Sequence, residues 1–324
     1  MKRMPTQPQV SDVAGSTVRD GATGLERIAV GVDGRAEARD AVCLGMMIGK
    51  ASGGEVMLVT VDTAPPISVP PRPDWTEMRA RMGKVLSELA DSLAPGARTI
   101  VETDSSVPHG LERVVSGEHR DLLVVGSSRR ARHGRARIGR RTRQLLGEVR
   151  CALAVAPRGL CAVGPRQLSV VGVGYDGSPE ASEALRVAGQ LASAAGARLR
   201  LRVVADDRFP YVGWTPRSGP DVQEIWDALI EPNVESLRED AERAVRATGA
   251  DTSVDVRLGS PPAELIALSR QVDLLVIGSR HWGTARLLLG CTGEELMHDA
   301  RCSVLVVPRP PSSEPPRLEP RVTE

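Results

Sequence analysis

Aromatic residues are scarce in this chain: one Phe, two Tyr and four Trp make up 2% of its 324 residues. Its cores must therefore be built from Val, Leu, Ile, Ala and Met, and the interleaved aromatics expected of a single-strand nucleic-acid reader are missing. Cysteine is sparse too. Cys43, Cys151, Cys161, Cys291 and Cys302 are odd in number, scattered, and free of any CxxC pair, and the five histidines are equally dispersed. That pattern suggests neither a disulfide framework nor a zinc site. No apolar run reaches the length needed to cross a bilayer. The opening MKRMPTQPQVSDVAGSTVRDG carries basic residues without the apolar stretch of a secretory signal, so a cytoplasmic setting is expected. Net charge is +1, which argues against general nucleic-acid binding. The charge is unevenly spread, however, with eight arginines between residues 129 and 143.

What the chain does have is a repeat. ERIAVGVDGRAEARDAV at Glu26–Val42 matches LSVVGVGYDGSPEASEAL at Leu168–Leu185. DLLVVGSS at Asp121–Ser128 matches DLLVIGSR at Asp273–Arg280, and CALAVAPR at Cys151–Arg158 matches CSVLVVPR at Cys302–Arg309. The same order at similar spacing implies a duplication. The expected division is a disordered tail over 1–24, a first domain over 25–158, a linker over 159–167, a second domain over 168–309 and a Pro-rich disordered tail over 310–324.

Within the second copy, Val170–Val173, Leu199–Val204, Val254–Leu258, Leu274–Ile277 and Val304–Val307 are read as short apolar runs. Such runs suit strands buried on both faces, as in a parallel sheet. Between the first two, Ala181, Ala184, Leu185, Ala188, Leu191, Ala192 and Ala195 fall at helical spacing. Ala38, Ala41, Val42, Gly45, Ile48 and Gly49 form the equivalent face in the first copy. Ser178-Pro179 opens the second-copy helix well, whereas Arg35 replaces that Ser in the first copy and caps weakly. The expected fold is α/β: two tandem Rossmann-like domains, each a five-stranded parallel sheet flanked by helices. The last strands, Ala152–Ala156 and Val304–Val307, would leave apolar edges exposed. Pairing them predicts an intramolecular pseudo-dimer.

In such a sheet a ligand binds beyond the carboxyl ends of the strands, where the strand order reverses. Two loops meet there. One begins Asp33-Gly34 in the first copy and Asp176-Gly177-Ser178 in the second. The other starts at Gly126 (GSSRRARHGRARIGRRT) and at Gly278 (GSRHWGTARLLLGCT). A glycine leaving a strand lets backbone N–H groups turn toward a phosphate, and one opening the next helix sets its N-terminus beside it. The bland alternative is that Gly126 and Gly278 simply end strands.

The order of elements, the V-D-G-S-like start and the G-x2-G-x9-G-(S/T) loop resemble the universal stress protein family in its tandem form. The resemblance implies an adenine nucleotide alpha hydrolase-like fold and ATP, or a related adenine nucleotide, as ligand. By similarity its positions are Asp176, Val204, Gly278, Gly290 and Thr292 in the second copy, and Asp33, Val61, Gly126 and Gly139 in the first. The expected site extends to Gly177, Ser178, Ile277, Ser279, Arg280 and Cys291, and to Gly34, Val125, Ser127, Arg129 and Arg140. Neither loop is complete. In the first copy Arg129 replaces the middle glycine and Arg140 the Ser/Thr. In the second, His281 replaces that glycine, Gly290 arrives one residue early, and Cys291 precedes Thr292. The second copy, with Asp-Gly-Ser and a neutral loop, is the first choice of site.

Asp206–Pro220 holds the chain's one Phe, Phe209, with Tyr211 and Trp214, and reads as a lid over the base, a partner-facing surface or a packed loop. Trp75 and Trp226 are expected on the second helices, and Trp282 in the phosphate loop. Cys151 and Cys302, opening the fifth strands, read as buried small hydrophobes. Cys291 opens a helix, where a thiol can gain reactivity. The arginines of 129–143 read as a solvated face with some anion affinity. The phosphate loops have no Lys, and no nucleophile is tied to a base or metal cluster. The chain thus reads as a regulatory, stress-response nucleotide binder without a catalytic set. The rivals are a slow nucleotide hydrolase and a protein-interaction module with decayed sites.

Overall fold

A computed structural model describes residues 24–63, 73–163, 167–205, 231–279 and 289–308. The first half runs β1 (Arg27–Gly31), α1 (Ala36–Ser52), β2 (Glu55–Thr63), α2 (Pro73–Leu93), β3 (Arg98–Asp104), α3 (Val107–Gly117), β4 (Leu122–Gly126), α4 (Arg140–Leu146) and β5 (Ala152–Ala156). A short helix α5 (Leu160–Val163) follows. The second half repeats the order with β6 (Val170–Tyr175), α6 (Pro179–Ala195), β7 (Arg198–Ala205), α7 (Glu231–Arg246), β8 (Thr252–Leu258), α8 (Pro261–Leu268), β9 (Leu274–Gly278), α9 (Cys291–Asp299) and β10 (Ser303–Val307).

The apolar runs become strands because they are covered on both sides. β4, β5, β9 and β10 are buried almost throughout. One ten-stranded sheet results, in the order β3-β2-β1-β4-β5-β10-β9-β6-β7-β8. Pairing is parallel within each half, and β5 and β10 pair antiparallel, with Val304 opposite Val155 and Leu305 opposite Ala154. The two five-stranded sheets are thus halves of one, and neither fifth strand is an open edge. One face carries α1, α2, α6 and α7 over a core that runs across the junction. The other carries α3, α4, α8 and α9. Among the described residues no helix is long and apolar enough to cross a membrane.

The first helix of each half shows how the sequence sets local structure. Ser178 caps α6, its Oγ accepting from the Ala181 N–H at 3.1 Å, with Pro179 at the first helical position. Arg35 makes no side-chain cap on α1. The small residues of α1 bring it down onto the sheet: a Cβ on Gly45 would stand 2.6 Å from Val30 Cγ2.

The cysteine pattern misleads at one pair. Cys43 on α1 and Cys161 on α5 form a disulfide, with Cα atoms 5.5 Å apart, correcting the expectation that none is built. Their 118-residue separation hides the pairing. The contact follows from Asp40, one turn earlier on α1, whose buried carboxylate accepts from the backbone N–H groups of Gly159 at 2.7 Å and Cys161 at 2.8 Å. The start of the stretch read as linker is thereby laid on α1. Cys151 and Cys302 are free and buried, and burial pushes the Cys151 thiol up to about 12.

Candidate functional site

β1 lies between β2 and β4, and β6 between β7 and β9, so each half has a strand-order reversal at its first strand. A cleft opens there in each. In the second half it measures about 200 Å³ and gathers Asp176, Ser178, Val204, Ile277, Gly278, Gly290 and Thr292 from the ends of β6, β7 and β9 and the start of α9. In the first half it measures about 120 Å³ and gathers Asp33, Val61, Val125, Gly126 and Ser127.

The two halves use the same turn after the first strand. Asp176 Oδ1 accepts from the Ser178 N–H at 3.1 Å, and Asp33 Oδ1 from the Arg35 N–H at 3.2 Å. Gly177 (φ 78°) and Gly34 (φ 71°) supply the left-handed conformation inside each turn. The carboxylates then differ. Asp33 also pairs with the Arg35 guanidinium at 3.4 Å. Ser178 stands in that position beside Asp176, whose second oxygen has no partner among the described residues. The second copy therefore keeps a carboxylate able to accept a ligand hydroxyl.

Gly126 and Gly278 have a packing reason of their own. A Cβ on either would stand 2.5 Å from a helix carbonyl oxygen, that of Glu37 or of Glu180. The glycines let the first turn of α1 and of α6 rest on the strand end, which also places the Asp turn beside the second loop. Gly139 and Gly290 are the N-cap residues of α4 and α9, both with extended backbone. Cys291 is exposed at the first position of α9, and Thr292 beside it lines the cleft.

Ser127 is committed to structure. Its hydroxyl donates to the Ala156 carbonyl at 2.7 Å and accepts from the Arg137 N–H at 3.1 Å. Its counterpart Ser279 is buried, with its hydroxyl unpartnered among the described residues. Gly34, Arg129, Gly139 and Arg140 do not line the first cleft, whereas Arg141 does. Gly177, Ser279 and Cys291 stand outside the lining of the second. Arg280, His281, Trp282, Trp226 and the aromatic segment Asp206–Pro220 lie outside the described residues, and Trp75 falls on α2.

Sequence reasoning missed Arg202. It lies on β7 beneath the second cleft with its side chain only 5% exposed. It pairs with Asp255 of β8 at 3.0 Å and Glu264 of α8 at 2.5 Å, and its Nε has no partner among the described residues. The sheet register sets Arg202 opposite Gly174, as Val59 is opposite Gly31, and Asp255 opposite Arg202, as Ile100 is opposite Val59. Glu264 stands four residues past its helix cap, as Gly110 does. Two apolar residues and a glycine of the first half are thus an ion triad in the second. Arg198, Arg200 and Arg202 alternating in a strand expected to be apolar were the available signal.

The rim of the first half holds a further unanticipated group. The buried Asp104 carboxylate lies 2.8 Å from Nδ1 of His109, and also accepts from the Ser105 hydroxyl and the Ser106 N–H. Its hydrogen bond raises the pKa of His109 above the ordinary 6.5. Burial pushes Asp104 up, but the His109, Ser106 and Ser105 hydrogen bonds outweigh it and leave it below the ordinary 3.8. The stabilisation carried by His109 is full below its unfolded pKa and is lost as pH rises through its higher folded value. That carried by Asp104 is lost as pH falls through its lowered value. An NMR titration should give His109 a midpoint above 6.5, returning toward the ordinary value in Asp104→Asn. An unchanged midpoint in that variant would contradict the pairing.

A ten-stranded sheet made of two doubly wound halves, each with a cleft at its switch point, defines a tandem α/β class with a candidate site in each half. The model of the universal stress protein family matches residues 24–157 and again 169–308. The chain belongs to the universal stress protein family. A universal stress protein of Mycobacterium tuberculosis is 26% identical over 295 residues, covering 86% of this chain and 96% of the relative. One from Thermus aquaticus is 32% identical over 138 residues, covering 41% of this chain and 93% of its own. Among solved structures, a universal stress protein from Archaeoglobus fulgidus superposes with a TM-score of 0.64 at 19% identity, covering 88% of this chain and 99% of that one. This last likeness bears on the fold alone.

Proposed function

We propose that the chain is a stress-response regulator whose second half binds ATP or a related adenine nucleotide, acting by conformation and contacts rather than turnover. The observation that carries the reading is the convergence of Asp176, Val204, Gly278, Gly290 and Thr292 on one switch-point cleft. In this reading Asp176 accepts a hydrogen bond from a ribose hydroxyl. Val204, Ile277, Leu265 and Leu289 give the base an apolar bed. The N-terminus of α9, with Gly290 and the Thr292 hydroxyl, receives phosphate. The first half is the weaker nucleotide site, because Asp33 is tied to Arg35 and the cleft is smaller. A cytoplasmic setting belongs to the same reading, and there Cys43 and Cys161 would be held as thiols except under oxidation.

The test is acid release of nucleotide from the purified chain, followed by chromatography and mass spectrometry. ATP leaving the protein supports the reading. ADP accompanied by measurable turnover would favour a slow hydrolase, and an empty protein that takes up no ATP on titration would defeat the reading.

A further inference from the structure

We infer that Cys43 and Cys161 are a reversible thiol–disulfide pair, a site of oxidative modification whose closure latches α5 onto α1 where the first half runs toward the second. The site is independent of the nucleotide reading of the second half. Of the five cysteines only these two meet: Cys151 and Cys302 are free in the core, and Cys291 is free at the surface. Cys43 and Cys161 are both half-buried. α6 repeats α1 position for position, yet Arg186 stands where α1 has Cys43 and Glu183 where it has Asp40, and those two pair with each other. The second-half helix therefore lacks the cysteine and spends its carboxylate on a neighbour.

Two kinds of contact hold α5 down, and only one is redox-sensitive. A helix of four residues has too few internal hydrogen bonds to stand alone. Leu160 is buried under it, and the Asp40 carboxylate accepts from the N–H groups of Gly159 and Cys161. These contacts do not involve sulfur, so they keep the two thiols adjacent when the bridge is open. Arg158, just before α5, exchanges backbone hydrogen bonds with Gly134 and Arg135. The same loop donates from Ala136 and Ile138 to the Ala300 and Met297 carbonyls of the second half. Closing the bridge thus braces a junction that both halves share.

The bridge is also within reach of a reagent. Cys43 lines a cavity of about 830 Å³ with Met46, Met47 and Leu160. Cys161 lines another, of about 390 Å³, with Asp40, His133 and Arg158. Both fall in the range of roughly 300–1,000 Å³ in which small molecules are held, so the sulfurs lie between two open spaces and not inside packed core. Thiol–disulfide exchange needs that access. In the oxidising direction one cysteine thiolate attacks a low-molecular-weight disulfide. A protein–reagent S–S bond forms as the reagent's own S–S bond breaks, and one thiol leaves. The second cysteine thiolate then attacks the protein sulfur of the mixed disulfide and expels the second thiol. The two protein thiols give up two electrons and two protons, which the two reagent sulfurs carry away. Because Asp40 positions the second thiol, this last step is intramolecular and runs at high effective concentration. A dithiol, or excess thiol, reverses the sequence.

Equilibrating the full chain in glutathione buffers of graded thiol-to-disulfide ratio tests the assignment, with acid quenching, thiol trapping and peptide mass mapping as the readout. The Cys43–Cys161 bridge should close at the oxidised end and open at the reduced end without denaturant, while Cys151 and Cys302 stay thiols throughout. The oxidised protein should melt roughly 5–10 °C above the reduced one, because the bridge closes a long loop. Cys43→Ser and Cys161→Ser should melt as the reduced wild type does in every buffer. Asp40→Ala should need roughly tenfold more oxidised glutathione, at fixed thiol, for the same closure, a shift that a residue serving only stability would not cause. Free thiols at Cys43 and Cys161 in the most oxidising buffer would overturn the proposal. So would a bridge that excess glutathione opens only once denaturant is added, since that bridge would be a permanent brace. An unmoved midpoint in Asp40→Ala would overturn the role given to Asp40.

Discussion

Replacing both carboxylates under the second cleft, Asp255→Ala with Glu264→Ala, is expected to destabilise the protein by about 3–5 kcal/mol, because it leaves a buried guanidinium without a counter-charge. Each carboxylate is partly exposed, at 34% and 28% of its side chain, while Arg202 is 5% exposed. Either single change leaves Arg202 one partner and should cost about 1.5–3 kcal/mol. Rebuilding the first half's version, with Arg202→Val, Asp255→Ile and Glu264→Gly together, should recover most of the loss, since apolar replacement of a buried ion pair is often neutral or better. Thermal and denaturant unfolding of the single, double and triple variants would show this. A double variant as stable as the wild type would mean that the triad contributes nothing.

Gly278→Ala is expected to disturb stability and the cleft together. The new methyl would stand 2.5 Å from the Glu180 carbonyl oxygen and 2.6 Å from its carbon, so the first turn of α6 must move off the strand end. Overpacking of this kind costs roughly 1–3 kcal/mol. Because that turn carries Ser178 and adjoins Asp176, ligand affinity should fall with it. Gly126→Ala, facing the Glu37 carbonyl at 2.5 Å, should destabilise alike while leaving binding in the second half intact. A Gly278→Ala protein that melts as the wild type does would show that α6 yields without cost.

The parallel sheet was legible because burial on both faces leaves an unmistakable mark. Val304–Val307 and Leu274–Ile277 can hardly be anything but interior strands, and the repeat doubled every such reading. The pairing of the fifth strands followed from the same apolar edges, and β5 and β10 do lie side by side. The Asp-Gly turn was legible too, since few sequences supply both a short acceptor and a left-handed residue. Interactions between elements were not. Arg202 was hidden because its partners arrive from a neighbouring strand and a later helix. Cys43 and Cys161 were hidden because only the path of the chain across α1 brings them together. Ser127 matched a phosphate-loop position, yet its hydroxyl is spent on the loop's own backbone. The glycines at 126 and 278 answer to helix packing as well as to any ligand, a demand that sequence alone could not separate from phosphate approach.

The most direct test of the central claim is a calorimetric titration of ATP into the wild type, Asp33→Ala and Asp176→Ala proteins. Asp176→Ala should remove a charge-assisted hydrogen bond and weaken binding by roughly 1.5–3 kcal/mol, about tenfold to a hundredfold in Kd. Asp33→Ala, whose carboxylate is already paired with Arg35, should bind nearly as the wild type does. ATP binding abolished by Asp33→Ala and untouched by Asp176→Ala would place the nucleotide in the other half and contradict the account.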